Sequence, residues 1–141
     1  MKNLIRFFLF SFCVTVIFTN CQQDNELDKV GTPITVDFEF KTQVTDDLSI
    51  SFEEVTTDSR CPCNAACITA GLIGVKLKIE TNGTTLTKLF TLPNYDGPEE
   101  GVYDTDFMGY NIELKDVLPF PCNGEPEIDS DYSVEIMVTE L

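Results

Sequence analysis

The chain has 141 residues, with 9 Lys and Arg against 24 Asp and Glu, a formal net charge of −15, and no histidine. An acidic surface repels nucleic acid, and the absence of histidine excludes Ser-His-Asp and Cys-His catalysis and removes the commonest metal ligand. After removal of an N-terminal export segment, the remaining length suits one domain with a two-layer core.

The first twenty residues are organised like an export signal. Lys2 and Arg6 give a positive start, and residues 7–18 form a mostly apolar run. This run is shorter than the roughly 20 residues that a membrane-spanning helix needs. Two polar residues and Cys21 follow, an arrangement that resembles a bacterial lipoprotein signal, in which this cysteine is acylated and becomes the new N-terminus. We therefore predict a signal peptide over residues 1–20 and lipidation of Cys21, with secretion without a lipid as the alternative.

Residues 22–26 are polar and acidic, directly after the predicted lipid attachment site. The run resembles the surface-export tag of lipoproteins in Bacteroidota-type bacteria, and it also suits a flexible tether. We predict a tether over residues 21–31 and an anchor in the outer membrane through acylated Cys21. Exposure at the cell surface is favoured over an anchor that faces the periplasm.

Alternation of apolar and polar residues predicts β-strands in the domain, residues 32–141. The predicted strands are Ile34–Lys41, Leu48–Glu53, Leu72–Glu80, Thr84–Leu92, Tyr110–Leu114 and Tyr132–Val138. Asn82-Gly83 predicts a tight hairpin turn, and residues 93–107 and 118–130 are predicted as long connections. One apolar face per strand and the lack of an amphipathic helix predict an all-β fold: an antiparallel β-sandwich of about six to eight strands, Ig-like or similar.

Four cysteines, Cys61, Cys63, Cys67 and Cys122, fall in this domain, and the thiols of an exported protein oxidise. A bridge between Cys61 and Cys63 would be strained, which leaves open Cys61–Cys67 with Cys63–Cys122, or Cys61–Cys122 with Cys63–Cys67. The long-range bridge would tie the 58–70 loop to the 118–130 loop and contribute about 2–4 kcal/mol. A thiolate site for Zn or Cu(I) is the alternative, although the spacing does not match common zinc sites.

The segment Asp58-Ser59-Arg60-Cys61-Pro62, with Cys67 six residues after the first cysteine, resembles the hallmark of a bacterial family of small exported proteins of unknown function. Further similar segments are Ile68-Thr69-Ala70-Gly71, Gly109–Leu114, Val117–Pro121 and the strand around Tyr132. The likeness covers most of residues 34–140 and implies a β-sandwich and the pairing of Cys61 with Cys67, but no activity. The chain differs from the family at Thr69, where Trp is usual, and in its two other cysteines.

Two groups of side chains are candidate sites. Asp58 and Arg60 are candidates for ligand binding, for example of an anion on the guanidinium, although a hydrogen-bond network that orders the loop is the favoured interpretation. Weak candidates for Ca²⁺ binding are Asp96, Glu99, Glu100, Asp104 and Asp106. The spacing of an EF-hand is absent, so a solvated acidic loop is favoured there.

We predict a non-enzymatic binding or accessory module without a cofactor, whose partner is an unknown protein or small molecule. Its recognition face would be formed by the loops 58–70, 93–107 and 118–130, because recognition commonly sits on loops that a rigid scaffold positions. The alternatives are an inhibitor of an extracellular hydrolase, and a metal-binding protein that uses thiolates or the acidic loop.

Overall fold

The computed structural model describes residues 28–69, 71–93, 102–122 and 131–141. The predicted signal peptide and Cys21 lie outside the described residues. Within these four ranges, no helix has the length and hydropathy needed to cross a membrane.

Eight β-strands form in the described part of the chain, and they are arranged in two layers. The strands are β1 (Pro33–Asp37), β2 (Lys41–Gln43), β3 (Leu48–Asp58), β4 (Leu72–Thr81), β5 (Thr84–Pro93), β6 (Asp104–Phe107), β7 (Tyr110–Leu118) and β8 (Ser133–Glu140). Sheet A has the order β1-β8-β7-β6, and sheet B has the order β2-β3-β4-β5. All neighbouring strands within the sheets are antiparallel. The predicted all-β sandwich is confirmed.

Alternate side chains of the strands fill the space between the sheets, because successive residues of a strand point to opposite faces. The two largest fully buried side chains are Phe52 and Phe90, and Phe38 packs edge-on against Phe52 with ring centroids 5.3 Å apart. The buried apolar residues are Ile34, Val36, Val44, Leu48, Ile50, Phe52, Ile73, Val75, Leu77, Ile79, Phe90, Ile112, Leu114, Val117, Tyr132, Val134, Ile136 and Val138. Burial of each large apolar side chain stabilises the fold by about 1.5–3 kcal/mol.

The predicted hairpin between β4 and β5 is confirmed. Asn82 and Gly83 both have positive φ angles, 48° and 76°, and the strands pair from Thr81 and Thr84 onward. A second two-residue turn joins β6 to β7, where Met108 and Gly109 have φ angles of 51° and 92°. Positive φ at both central residues matches the right-handed twist of the two strands that such a turn connects.

The prediction of one connection over residues 93–107 was wrong at both ends. Pro93 is the last residue of β5, and Asp104–Phe107 form β6, which pairs with β7. The second predicted connection, 118–130, also starts one residue too early, since Leu118 is the last residue of β7. Strand β6 was not predicted from the sequence, because it has only four residues and two of them are exposed aspartates on the outer face.

The directions of the strands give the sandwich two different ends. One end, here called the turn end, carries residues 28–32 and the tight turns 44–47, 82–83 and 108–109. At the other end, the loop end, the chain leaves β3, β5 and β7 and returns to β4, β6 and β8. Strand β3 runs from the first end to the second with 11 residues, so the ends are about 30 Å apart.

Backbone hydrogen bonds fix the N-terminal residues of the described chain at the turn end. The N–H of Lys29 donates to the carbonyl of Val44 over 3.0 Å, and the N–H of Gly31 donates to the carbonyl of Val138 over 2.7 Å. These bonds attach the start of the domain to both sheets. Whatever precedes residue 28 therefore joins the sandwich at the end opposite to the long connections.

Candidate functional site

The loop end is organised around an ion pair between Asp58, the last residue of β3, and Arg60. The guanidinium donates to both carboxylate oxygens, from Nε to Oδ1 over 3.0 Å and from Nη2 to Oδ2 over 2.7 Å. The backbone N–H of Arg60 adds a third bond to Oδ1 over 3.1 Å. Spacing of two residues along extended backbone puts both side chains on the same face, so this bidentate geometry forms locally.

Arg60 also connects the two sheets. Its Nη1 donates to the carbonyl of Val117 over 2.5 Å, and its Nη2 donates to the carbonyl of Pro119 over 2.8 Å. The ring of Phe120 covers the guanidinium, whose Cζ lies 4.8 Å from the ring centroid. Arg60 is only 6% exposed, and this set of partners satisfies a buried cation that would otherwise be costly.

Tyr132, the residue directly before β8 of sheet A, completes the network. Its hydroxyl donates to Oδ2 of Asp58 over 2.9 Å, and its ring is buried. Partial burial on its own would raise the pKa of the Asp58 carboxyl. The hydrogen bonds from Arg60, its positive charge and the Tyr132 hydroxyl outweigh that effect, and the pKa of Asp58 lies below its ordinary value of 3.8. The carboxylate is therefore ionised at neutral pH.

Ser59 and Gly71 hold the two strands of the loop together at its base. The N–H and the hydroxyl of Ser59 both donate to the carbonyl of Leu72, and the N–H of Leu72 donates to the Ser59 hydroxyl. A Cβ atom on Gly71 would lie 1.6 Å from the carbonyl oxygen of Ser59. Only glycine permits this close approach of the two backbones.

Two disulfides brace the loop between β3 and β4. Cys61 is bonded to Cys67 and Cys63 to Cys122, with Cα–Cα distances of 5.9 Å and 5.0 Å. This is the first of the two pairings left open by the sequence, and it includes the pairing that the resemblance implies. The N–H of Cys63 also donates to the carbonyl of Pro121 over 2.9 Å. In these disulfides the four sulfurs have no thiolate to offer a metal.

The tip of the disulfide loop, residues 61–69, projects into solvent. Residues 63–69 are all exposed, and the side chain of Ile68 is fully exposed. Leu72 and Leu118 are also partly exposed at this end, with relative exposures of 37% and 46%. Among the described residues of the loop end, this covalently braced segment thus places an apolar side chain in water.

The structure brings Asp58 and Arg60 together, as the sequence predicted, but mainly as partners of each other. The guanidinium is committed to the carboxylate and to two backbone carbonyls, which supports the interpretation as a network that orders the loop. The other partners were missed: Val117, Pro119, Phe120 and Tyr132. Two of them contribute backbone carbonyls, which carry no signal in the sequence, since their position depends on how the sheets pack.

The predicted acidic Ca²⁺ site is only partly within the described chain. Asp96, Glu99 and Glu100 lie outside the described residues. Asp104 and Asp106 are exposed on β6, and Asp106 accepts a hydrogen bond from the amide of Asn111 over 2.8 Å. Across the four described ranges, no three side chains with metal-binding groups stand close enough to hold an ion together.

Comparison with known proteins gave no relative. No family model, no curated protein and no solved structure matches this chain. The resemblance to the family of small exported proteins therefore stays a prediction, and the function has to be argued from the geometry of the loop end and from the chemistry of the sequence.

Proposed function

We propose that this chain is an exported, lipid-anchored, non-enzymatic recognition module that presents the disulfide loop to a protein partner. The observation that carries the proposal is the contrast between the base and the tip of this loop. The base is fixed by the buried Arg60 network and the tip is braced by two disulfides, yet residues 63–69 of the tip are exposed and include Ile68.

Rigidity of an exposed loop favours binding, because a loop that is already ordered loses little entropy when a partner docks. Ordering costs about 1–2 kcal/mol per backbone residue, and about 0.5–1.5 kcal/mol per immobilised long side chain. The disulfides and the hydrogen bonds of Arg60 remove much of this cost before binding. The free energy gained by burying Ile68 in an interface is then little reduced by the entropy cost of ordering the loop.

The geometry of the sandwich supports display of this loop. An acylated Cys21, with the residues that precede Asp28 as its tether, would attach the domain to the bilayer at the turn end. The disulfide loop lies at the opposite end, about 30 Å away along the strands. A domain anchored in this way holds its recognition surface clear of the lipid headgroups.

The charge of the chain favours a basic partner. With a formal net charge of −15, the domain attracts cationic surfaces over long distances and repels anionic ones. A protein with an apolar pocket for Ile68 and positively charged surroundings fits both features. Long-range attraction would speed the encounter, and burial of Ile68 would slow dissociation.

Photo-crosslinking on intact cells tests recognition by the loop. A photoreactive amino acid replaces Thr69 beside the exposed isoleucine or, as the matched control, Thr87, which is also exposed, on the outer face of sheet B. We expect a protein adduct from position 69 that is absent from position 87, and we expect Ile68→Asp to abolish it. Equal adducts from the two positions, or no adduct from position 69, would contradict recognition by this loop.

Metabolic labelling with a palmitate analogue tests the anchor. We expect the full-length protein to incorporate the label and to sediment with membranes, and the Cys21→Ala protein to do neither. A Cys21→Ala protein that stays equally membrane-bound and keeps its N-terminal methionine would contradict lipid anchoring.

Inhibition of an extracellular hydrolase is the second candidate function, and the exposed Ile68 on a disulfide-closed loop favours it. A short loop that is held rigid can enter an active-site cleft without losing much conformational entropy. Inhibition assays against a panel of extracellular proteases test this candidate. We expect Ile68→Asp to raise the inhibition constant at least tenfold, and a panel without any inhibited enzyme would remove the candidate.

A further inference from the structure

The two tight turns at the turn end have the same backbone geometry but opposite chemistry. Asn82 and Met108 occupy the first central position of their turns, with φ angles of 48° and 51°. Asparagine tolerates this left-handed conformation, whereas an unbranched apolar residue adopts it rarely and at a cost. The amide of Asn82 donates to Asp47 over 2.9 Å, while Met108 holds its thioether chain in solvent with 56% exposure.

Met108 thus combines a strained backbone with an exposed apolar side chain, and a contact made by this side chain would explain both. An asparagine at position 108 would suit the backbone and the aqueous surroundings better than methionine does. Residues held in sparsely populated backbone conformations cluster at functional sites, such as places where a ligand is held. Methionine is well suited to such a role, since its flexible thioether adapts to irregular apolar surroundings.

Met108 lies on the same end of sheet A as the start of the domain. The turn joins β6 to β7, and β8 separates β7 from β1. Pro33 and Glu113 both pair with Met137, so the turn stands about 15–20 Å from the first residue of β1. Leu141, 75% exposed, adds a second apolar side chain there, and its N–H donates to the carbonyl of Gly109 over 2.9 Å. The two apolar groups and the start of the domain therefore lie at the same end of sheet A.

The covalent distance from the predicted lipid to this end is short. The seven peptide units between Cys21 and Asp28 can span at most about 25 Å, because an extended chain covers at most about 3.6 Å per residue. A tether of this length gives the turn end an effective concentration in the millimolar range at the bilayer surface. This proximity favours even a weak contact of one or two apolar side chains.

We infer that the turn end rests on the lipid bilayer and that Met108, together with Leu141, enters its interfacial region. This inference rests on the proposed lipid anchor. Asp46 and Asp47 lie exposed on the β2–β3 turn of the other sheet, and Asp47 accepts a hydrogen bond from the hydroxyl of Tyr110 over 3.4 Å. Glu140, next to Leu141, is exposed as well. Because these carboxylates lie near the proposed contact, zwitterionic lipid, which does not repel them, is the appropriate probe.

Tryptophan fluorescence tests the contact, because the chain contains no native Trp. The lipidated full-length Met108→Trp and Asn82→Trp proteins are placed in phosphatidylcholine vesicles that contain a brominated phosphatidylcholine as quencher. Both reporters sit at the same position of equivalent turns, so the general preference of Trp for interfaces cancels. We expect at least twofold stronger quenching and a shift to shorter wavelength for the reporter at 108. Equal quenching at the two positions would overturn the inference.

Oxidation of the wild-type protein tests the same contact without any substitution. A polar oxidant that stays outside the bilayer converts methionines to sulfoxides, which mass spectrometry counts peptide by peptide. We expect Met108 of the vesicle-bound protein to react at least threefold more slowly than in the unlipidated Cys21→Ala protein. Met137, half-buried on the outer face of sheet A, should react at the same rate in both. An equal oxidation rate of Met108 in the two proteins would overturn the inference.

Flotation of the vesicles separates this inference from the proposed function. A full-length protein that does not float with the vesicles removes the lipid anchor and the bilayer contact together. A protein that floats but shows neither quenching at position 108 nor protection of Met108 keeps its anchor, and only the contact of the turn end is then overturned.

Discussion

Replacement of Asp58 by Asn is the sharpest test of the network at the loop end. The carboxylate accepts four hydrogen bonds, three from Arg60 and one from Tyr132, with two on each oxygen. An asparagine keeps only one of these oxygens. Its amide group must then face two donors, and the buried guanidinium loses its counter-charge while the rest of its surroundings stay unchanged.

The expected loss follows from the burial of the pair. Removal of one partner from a buried ion pair costs about 3–5 kcal/mol, because the other charge stays buried without compensation. The side chains of Arg60 and Asp58 are only 3% and 12% exposed, so solvent screens the pair little. A small domain has a free energy of unfolding of about 5–15 kcal/mol, so Asp58→Asn removes a large part of the total.

Urea unfolding of the oxidised protein, followed by circular dichroism, measures this loss. With a slope of about 2 kcal/mol per molar urea, a loss of 4 kcal/mol lowers the midpoint by about 2 M. Asp104→Asn is the matched control: the same chemical change on an exposed strand position should alter stability by less than about 0.5 kcal/mol. A midpoint shift of Asp58→Asn no larger than that of the control would refute the reasoning.

The pH dependence of the same experiment has a definite sign. Since the pKa of Asp58 is lowered in the folded protein, the unfolded chain binds this proton more tightly than the native one. The contribution of the carboxylate is therefore fully present above the ordinary value of 3.8 and decreases as pH falls through the folded pKa. The difference in stability between wild type and Asp58→Asn should narrow in acid, and a difference that widens would contradict the assignment.

Three further changes test other features by the same unfolding assay. Gly71→Ala should lower the free energy of unfolding by about 2–4 kcal/mol, because its Cβ would meet a backbone carbonyl oxygen at 1.6 Å. Gly83→Ala, with open space around the new Cβ, should lower it by only about 1 kcal/mol. Equal losses would argue against a steric cause. Joint replacement of Cys63 and Cys122 by Ser should cost about 4 kcal/mol, since their bridge closes a separation of 59 residues, and an unchanged midpoint would be incompatible with that bridge. Met108→Asn should raise stability by about 0.5–1 kcal/mol, and a lower midpoint would show that its backbone is not strained.

The fold class could be predicted because most strands keep a simple alternation. Strand β4 alternates without interruption, and the Asn-Gly pair after it marks the hairpin. Two other strands were predicted too short for a physical reason. In β7 a bulge between Leu114 and Asp116 puts Leu114 and Val117 into the core three residues apart, which breaks the period of two. Bulges after Phe52 hide the second half of β3 in the same way.

The candidate site could be predicted only as far as its local part. Asp58 and Arg60 are two residues apart, so their pairing follows from the extended backbone that carries them. The contacts of Arg60 with Val117 and Pro119 join segments almost sixty residues away, and they depend on the packing of sheet B against sheet A. The second turn was missed because Met108-Gly109 lacks the asparagine that usually reveals such a turn.

The arrangement of the two ends determines how the domain would carry mechanical load. A pull between the start of β1 and the disulfide loop acts parallel to the strands, because these points lie at opposite ends of the sandwich. The backbone hydrogen bonds between β1 and β8, which pair over residues 33–37 and 133–137, are then loaded together in shear rather than opened one after another. At the far end, the bridge from Cys63 to Cys122 spreads the force over both layers. If the domain binds a partner as proposed, fluid drag on that partner would act parallel to the strands, where the hydrogen bonds resist it together.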